Sequence, residues 1–122
     1  PYTAKSMFDL MIKRGIEPEL AFFECWYELK LIMNAMIEVG PEAFYDLISP
    51  NALIGSEIGQ ERLMTEDFQA RLESLFDDIQ SGVFLENAEK TDVLALRQKI
   101  KARWHQSALE QTQKRILGGD QK

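Results

Sequence analysis

One cysteine and one histidine stand in the 122 residues, and that scarcity removes whole classes of chemistry. Cys25 has no partner for an internal disulfide and cannot build a cysteine-rich metal centre, so a reducing compartment is expected, with the cytoplasm as default. In an apolar run it reads as a small buried hydrophobe rather than a reactive thiol. His105 lies between Trp104 and Gln106 on an amphipathic stretch whose apolar side carries the tryptophan. It is expected to face water, with no catalytic or metal role. There is no signal-peptide pattern and no run of eighteen apolar residues, so no membrane span is expected. The net charge is −6 and the Lys and Arg residues form no basic stripe, which argues against nucleic-acid binding. No Gly-x-Gly-x-x-Gly follows a strand-like segment, so a dinucleotide-binding domain is not expected in these residues. Polar/apolar alternation never lasts long enough for a strand.

What is present is helical punctuation. Thr3 to Arg14 carries Met7, Leu10 and Met11 at helical spacing and ends at Gly15. Glu17-Pro18-Glu19 opens a second helix, with proline in the first turn and acids near the positive end; it runs to Val39 before Gly40-Pro41. A short amphipathic piece spans Glu42 to Ile48. Ser49-Pro50 then reads as cap and first-turn proline for a segment through Gly55. Thr65-Glu-Asp starts a helix striped by Phe68, Leu72, Leu75, Phe76 and Ile79, and Ser81-Gly82 closes it. A loop is expected around Glu86-Asn87. One last long helix follows from Thr91, striped by Val93, Leu96, Ile100, Trp104 and Ala108 and weakening towards Ile116. The expectation is an all-α fold: one helical domain over residues 1–117 and a polar tail over 118–122.

The second helix carries the feature that points to chemistry. From Leu20 to Ile37 apolar residues occupy nearly every position, so the helix is expected to be largely buried. Glu24 and Glu28 interrupt it one turn apart, with both carboxylates on one side. Like charges at that spacing repel by about 0.2–0.5 kcal/mol on an exposed helix, and more in a core. No Lys or Arg stands three or four residues from either glutamate. Neutralisation must come from a divalent cation or from a Lys or Arg elsewhere. The plainer reading is a structural ion pair or partner contact. Lys30 and Asn34 lie on a different face and read as solvent-reaching or interface groups.

Several stretches together resemble a known family. Gly15-Ile-Glu-Pro-Glu-Leu-Ala-Phe-Phe-Glu-Cys-Trp-Tyr-Glu-Leu-Lys-Leu-Ile32 is similar to the central segment of the C-terminal domain of ketol-acid reductoisomerases. Ile48-Ser-Pro-Asn-Ala-Leu-Ile-Gly55 resembles that domain's next motif, and Asp78-Ile-Gln-Ser-Gly82 and Leu85-Glu-Asn87 match later pieces in order. The resemblance covers roughly residues 3 to 115 and is thin after Asn87. It implies the helical fold of that domain, akin to the 6-phosphogluconate dehydrogenase C-terminal domain. It also implies a role in branched-chain amino-acid synthesis, where an alkyl group migrates with Mg²⁺ and NADPH then reduces the ketone. By the same resemblance Glu24 and Glu28 are metal ligands reaching into a partner subunit's site, Ser49 contacts the substrate carboxylate, and the chain forms a homodimer.

Departures from the family pattern accompany these matches. The family's other two metal ligands, an aspartate and a glutamate, belong to an upstream helix that would precede Pro1, and Asp9 does not replace them. Two carboxylates alone are a poor Mg²⁺ site, which needs further oxygen ligands. Tyr27 stands where the family has histidine, Leu53-Ile54-Gly55 where it has Glu-Tyr-Gly, and Pro50 where it prefers a polar residue. Helix capping by Ser49 competes with a substrate role. The leading expectation is therefore a metal and substrate half-site, with NADP required only if a separate nucleotide domain joins it. Alternatives are a stand-alone dimeric module that binds a small acid or protein partner, and a redox-free isomerase relying on Glu24 and Glu28. Pro1 fits the residue left when an initiator methionine is removed.

Overall fold

Gly15 and Gly40 punctuate the first part of the fold, and both adopt positive φ, +85° and +86°, which a side chain disfavours. At Gly15 the chain leaves helix α1 (Tyr2–Lys13) through a turn in which the Ile16 amide donates to the Met11 carbonyl at 3.0 Å. The computed structural model describes residues 1–118, and every regular element among them is helical. The part of the polar tail from residue 119 onward lies outside the described residues. No helix among them is long and apolar enough to cross a membrane.

The described chain forms two compact units. The first joins residues 1–41 to 97–118. After α1 a single rod runs from Pro18 to Val39, made of α2 (Pro18–Phe22), a wide π turn (Phe23–Tyr27) and α3 (Glu28–Val39). The C-terminal end of α8 (Val93–His105) and all of α9 (Ala108–Leu117) complete this unit. Its core is Phe8 of α1, Ala21 and Phe22 of α2 and Leu109 of α9, with Met11, Ile12, Cys25, Trp26, Tyr27, Trp104 and Ile116 packed around them. Glu19 on α2 and Arg115 on α9 tie the outside of this packing, Arg115 Nη2 donating at 2.8 Å and Nε at 3.2 Å to one carboxylate oxygen. Thr112, 1% exposed, is the fully buried polar residue, and its hydroxyl accepts from Arg115 at 3.2 Å.

The second unit covers residues 42–96. It follows the short α4 (Pro41–Phe44) with α5 (Pro50–Leu63), α6 (Glu66–Gln80), α7 (Val83–Glu89) and the first turn of α8. The expected caps are in place. Ser49 Oγ accepts from the Ala52 amide at 3.2 Å, and Thr65 Oγ1 from the Phe68 amide at 3.3 Å. None of its residues is buried. Leu72, Leu75, Phe76 and Ile79 do form a stripe on α6, but nothing within the unit covers it.

Four expectations need correction. The rod from Pro18 to Val39 is not largely buried: Ala21 and Phe22 are enclosed, whereas Leu29, Leu31, Met33 and Ile37 are exposed. Only one side of the rod meets α1 and α9, and apolar composition does not say how many neighbours a helix has. The stretch around Glu86-Asn87 is helical, because Gly82, at φ +86°, turns the chain and lets α7 start directly. The final helix is broken at Ser107. That residue accepts from the Glu110 amide at 3.2 Å and donates to the Trp104 carbonyl at 2.7 Å, ending α8 and starting α9. The piece expected over 42–48 is helical only through Phe44, and α5 runs well past Gly55 to Leu63.

Candidate metal-ligand helix

Glu24 and Glu28 lie at the π turn of the long rod, Glu24 within it and Glu28 immediately after. The widening is defined by the Glu28 amide, which donates to the carbonyl of Phe23, five residues back rather than four. Three consecutive residues of the turn, Cys25, Trp26 and Tyr27, pack against the core. Phe22 anchors the turn on its N-terminal side, its ring meeting Phe23 edge-on at 5.5 Å and Tyr27 at 6.4 Å. Trp26 anchors it on the other side: its indole Nε1 donates to Gln113 Oε1 on α9 at 3.0 Å, and its ring lies 6.1 Å from that of Trp104. The Cys25 thiol donates to the Ala21 carbonyl at 2.9 Å. Burial, with the nearby charges of Asp9 and Glu24, pushes that thiol above its ordinary pKa, in keeping with the inert role read from the sequence.

Against this fixed side, both glutamates face solvent. Neither makes an ion pair among the described residues, where the carboxylates that do are Glu19, Asp9, Asp67, Glu86 and Glu110. The sequence required an outside cation for a buried pair; exposure lifts that requirement, since water screens the repulsion. Chemically the pair offers two hard oxygen donors suited to Mg²⁺. No cluster of three or more His, Cys, Asp or Glu side chains capable of holding a metal occurs among the described residues, so the pair by itself offers too few donors for a complete coordination sphere. Asp9 is engaged by Lys5 on its own helix and adds nothing to it. Lys30, next along the rod, places its ammonium 6.0 Å from the Tyr27 ring centre and stays exposed, as its pattern predicted.

Ser49 belongs to the second unit, where it is exposed at the start of α5. Its oxygen accepts the capping hydrogen bond, which leaves the hydroxyl proton able to donate to an anion. His105 is exposed, with Nδ1 3.4 Å from the Lys114 ammonium. Sequence reasoning missed the π turn and its attachment to Gln113. No local signal marks either, because the fixing contact joins residues 87 positions apart.

Comparison with known proteins agrees with this architecture. A solved structure of an NADH-preferring ketol-acid reductoisomerase from an uncultured archean superposes with a TM-score of 0.88 at 18% identity, over 99% of this chain. The chain spans 37% of the length of that protein. The family model for the ketol-acid reductoisomerase C-terminal domain matches residues 2–118. The chain therefore belongs to the ketol-acid reductoisomerase C-terminal domain family.

Proposed function

We propose that this chain supplies the helical metal- and substrate-binding part of an acetohydroxy-acid isomeroreductase, with Glu24 and Glu28 as Mg²⁺ ligands. One observation carries the reading: a helix clamped to the core on one side presents, on the other, two exposed carboxylates that make no ion pair among the described residues. Bound there, Mg²⁺ would polarise the oxygens of a ketol acid and favour alkyl migration. Glu24 and Glu28 hold the negative charge that draws the cation, and Ser49 is the candidate donor to the substrate carboxylate. The reductive half needs NADPH and a nucleotide-binding domain beyond these residues.

A homodimer belongs to the same proposal. The second unit encloses no side chain of its own, yet exposes Leu72, Leu75, Phe76 and Ile79 on one helix and Phe84 and Leu85 on the next. Such a surface is stable in water when another chain covers it, and a second copy is the partner we propose. Sedimentation should give a dimer that Phe76→Asp dissociates; a wild-type monomer at high concentration would remove it.

Calorimetric titration of Mg²⁺ and Mn²⁺ into the purified chain, with Glu28→Gln beside it, tests the metal reading. Saturable binding lost in the variant is expected; equal heats in both proteins would defeat it. Mixing the chain with a nucleotide domain of the family, acetolactate, Mg²⁺ and NADPH then tests the reaction. A folded dimer that binds neither cation would point instead to a stand-alone module recognising a small acid or a protein.

A further inference from the structure

The π turn is the least expected feature of the rod, and its position between the two glutamates is informative. A regular α-helix takes 3.6 residues per turn, so a residue four along overshoots a full turn by about 40°. A wider turn takes up less rotation per residue, so it changes the angle at which the two carboxylates leave the rod. The backbone alone would not choose this arrangement, because α-helical hydrogen bonding is the default for these residue types. Something outside the rod must hold it open.

Two anchors grip the rod at the turn. Phe22, 1% exposed, fixes everything before it. Trp26 is only half-buried and is held by one directed contact, the indole Nε1 to Gln113 Oε1 hydrogen bond at 3.0 Å, together with the ring of Trp104. Closing the wide turn into regular α-helix with every residue kept would rotate the helix on one side of it by up to about 100° relative to the other. With Phe22 locked in the core, that rotation would carry the indole away from Gln113. The hydrogen bond and the widened turn therefore support each other.

We infer that Gln113 is a positioning residue: through the Trp26 indole it keeps the π turn open and thereby sets the direction of the Glu24–Glu28 pair. The functional half of this inference rests on the metal-ligand reading above; the structural half does not. The turn can be read directly by NMR, as a through-hydrogen-bond coupling between the Glu28 amide nitrogen and a carbonyl carbon. In the wild-type chain the coupling partner should be Phe23. Gln113→Glu keeps an acceptor for the indole and should preserve it. Gln113→Leu keeps the bulk without the acceptor and should move the coupling to Glu24, the α-helical partner.

Mn²⁺ titration of the same samples, followed by paramagnetic broadening at Glu24 and Glu28, supplies the second readout. Loss of an outer contact that orients a ligand typically weakens metal affinity 10- to 100-fold, so Gln113→Leu should bind about tenfold more weakly, with Gln113→Glu close to wild type. A Phe23 coupling that persists in Gln113→Leu, or a Glu24 coupling in the wild type, overturns the role of Gln113. Unchanged Mn²⁺ affinity in a Gln113→Leu chain that has lost the Phe23 coupling overturns its link to the glutamates. Absence of broadening in the wild type defeats the metal-ligand reading instead, and the coupling still decides whether Gln113 holds the turn.

Discussion

Replacing Phe22 with alanine tests whether the core of the first unit is what fixes the glutamate-bearing rod. Phe22 is 1% exposed, and among the described residues the fully enclosed apolar side chains around it are Phe8, Ala21 and Leu109. Truncating a buried phenylalanine costs roughly 3–5 kcal/mol, through lost transfer energy and the cavity left behind. Loss of the ring contacts to Phe23 at 5.5 Å and Tyr27 at 6.4 Å, each worth about 0.5–1.5 kcal/mol, places the expectation in the upper half of that range. Small domains have about 5–15 kcal/mol in total, so the variant should be severely weakened. With a urea dependence of about 2 kcal/mol per molar, the midpoint should fall by about 2 M. Trp26 and Trp104 border this core and report unfolding by fluorescence; protein concentration must be held constant, since a dimer makes the midpoint concentration-dependent. Phe22→Leu, which refills much of the space, should lose considerably less. A midpoint shift below about 0.5 M in Phe22→Ala, with unchanged slope, would refute the reasoning.

Three further outcomes follow from single contacts. The Arg115 guanidinium, by hydrogen bonding, holds the Glu19 carboxyl below the ordinary carboxylate range. A depressed pKa stabilises the fold above the unfolded-state value and ceases to do so as pH falls through the folded-state value. The difference in urea midpoint between wild type and Arg115→Gln should therefore be present at neutral pH and vanish in that acid window; a difference independent of pH would contradict it. Ser107→Ala removes the cap of α9 and should cost about 1 kcal/mol in thermal or urea unfolding, whereas an unaffected stability would mean the α8–α9 break does not depend on the cap. The Cys25 thiol, half-buried and with its pKa raised, should react with iodoacetamide at neutral pH more slowly than in the urea-unfolded chain; equal rates would place it in solvent.

The sequence was most legible where structure is decided locally. Ser49 and Thr65 cap the helices they were expected to cap, because a hydroxyl three residues before an amide needs no distant partner. Gly15 and Gly40 end helices for a similarly local reason, positive φ. Legibility failed where the deciding partner is remote or hidden. Ser107 lies inside an apolar stripe whose period continues across it, so its cap was masked by the pattern around it. The polar letters of Glu86-Asn87 resembled a loop, although Gly82 had already made the turn. Apolar residues all round the rod announced burial without saying which side the core covers. The glutamate pair was visible from its spacing and its motif, but its exposure and the π turn depend on α9, far away in sequence.

The first unit is assembled from the two ends of the described chain, and this bears on how the protein is made. Leu109 and Gln113 complete contacts begun by Phe8, Phe22 and Trp26, so on the ribosome the N-terminal helices emerge long before α9 exists to cover them. Until then Phe8 and Phe22 lack part of their shelter, and this unit can close only after α9 has been made. The residues between form a large loop whose closure cost rises slowly, by about 0.6 kcal/mol for each doubling of length. Lengthening or shortening residues 42–96 should consequently cost little in loop closure, while residues 1–41 and 97–118 must keep their fit to each other.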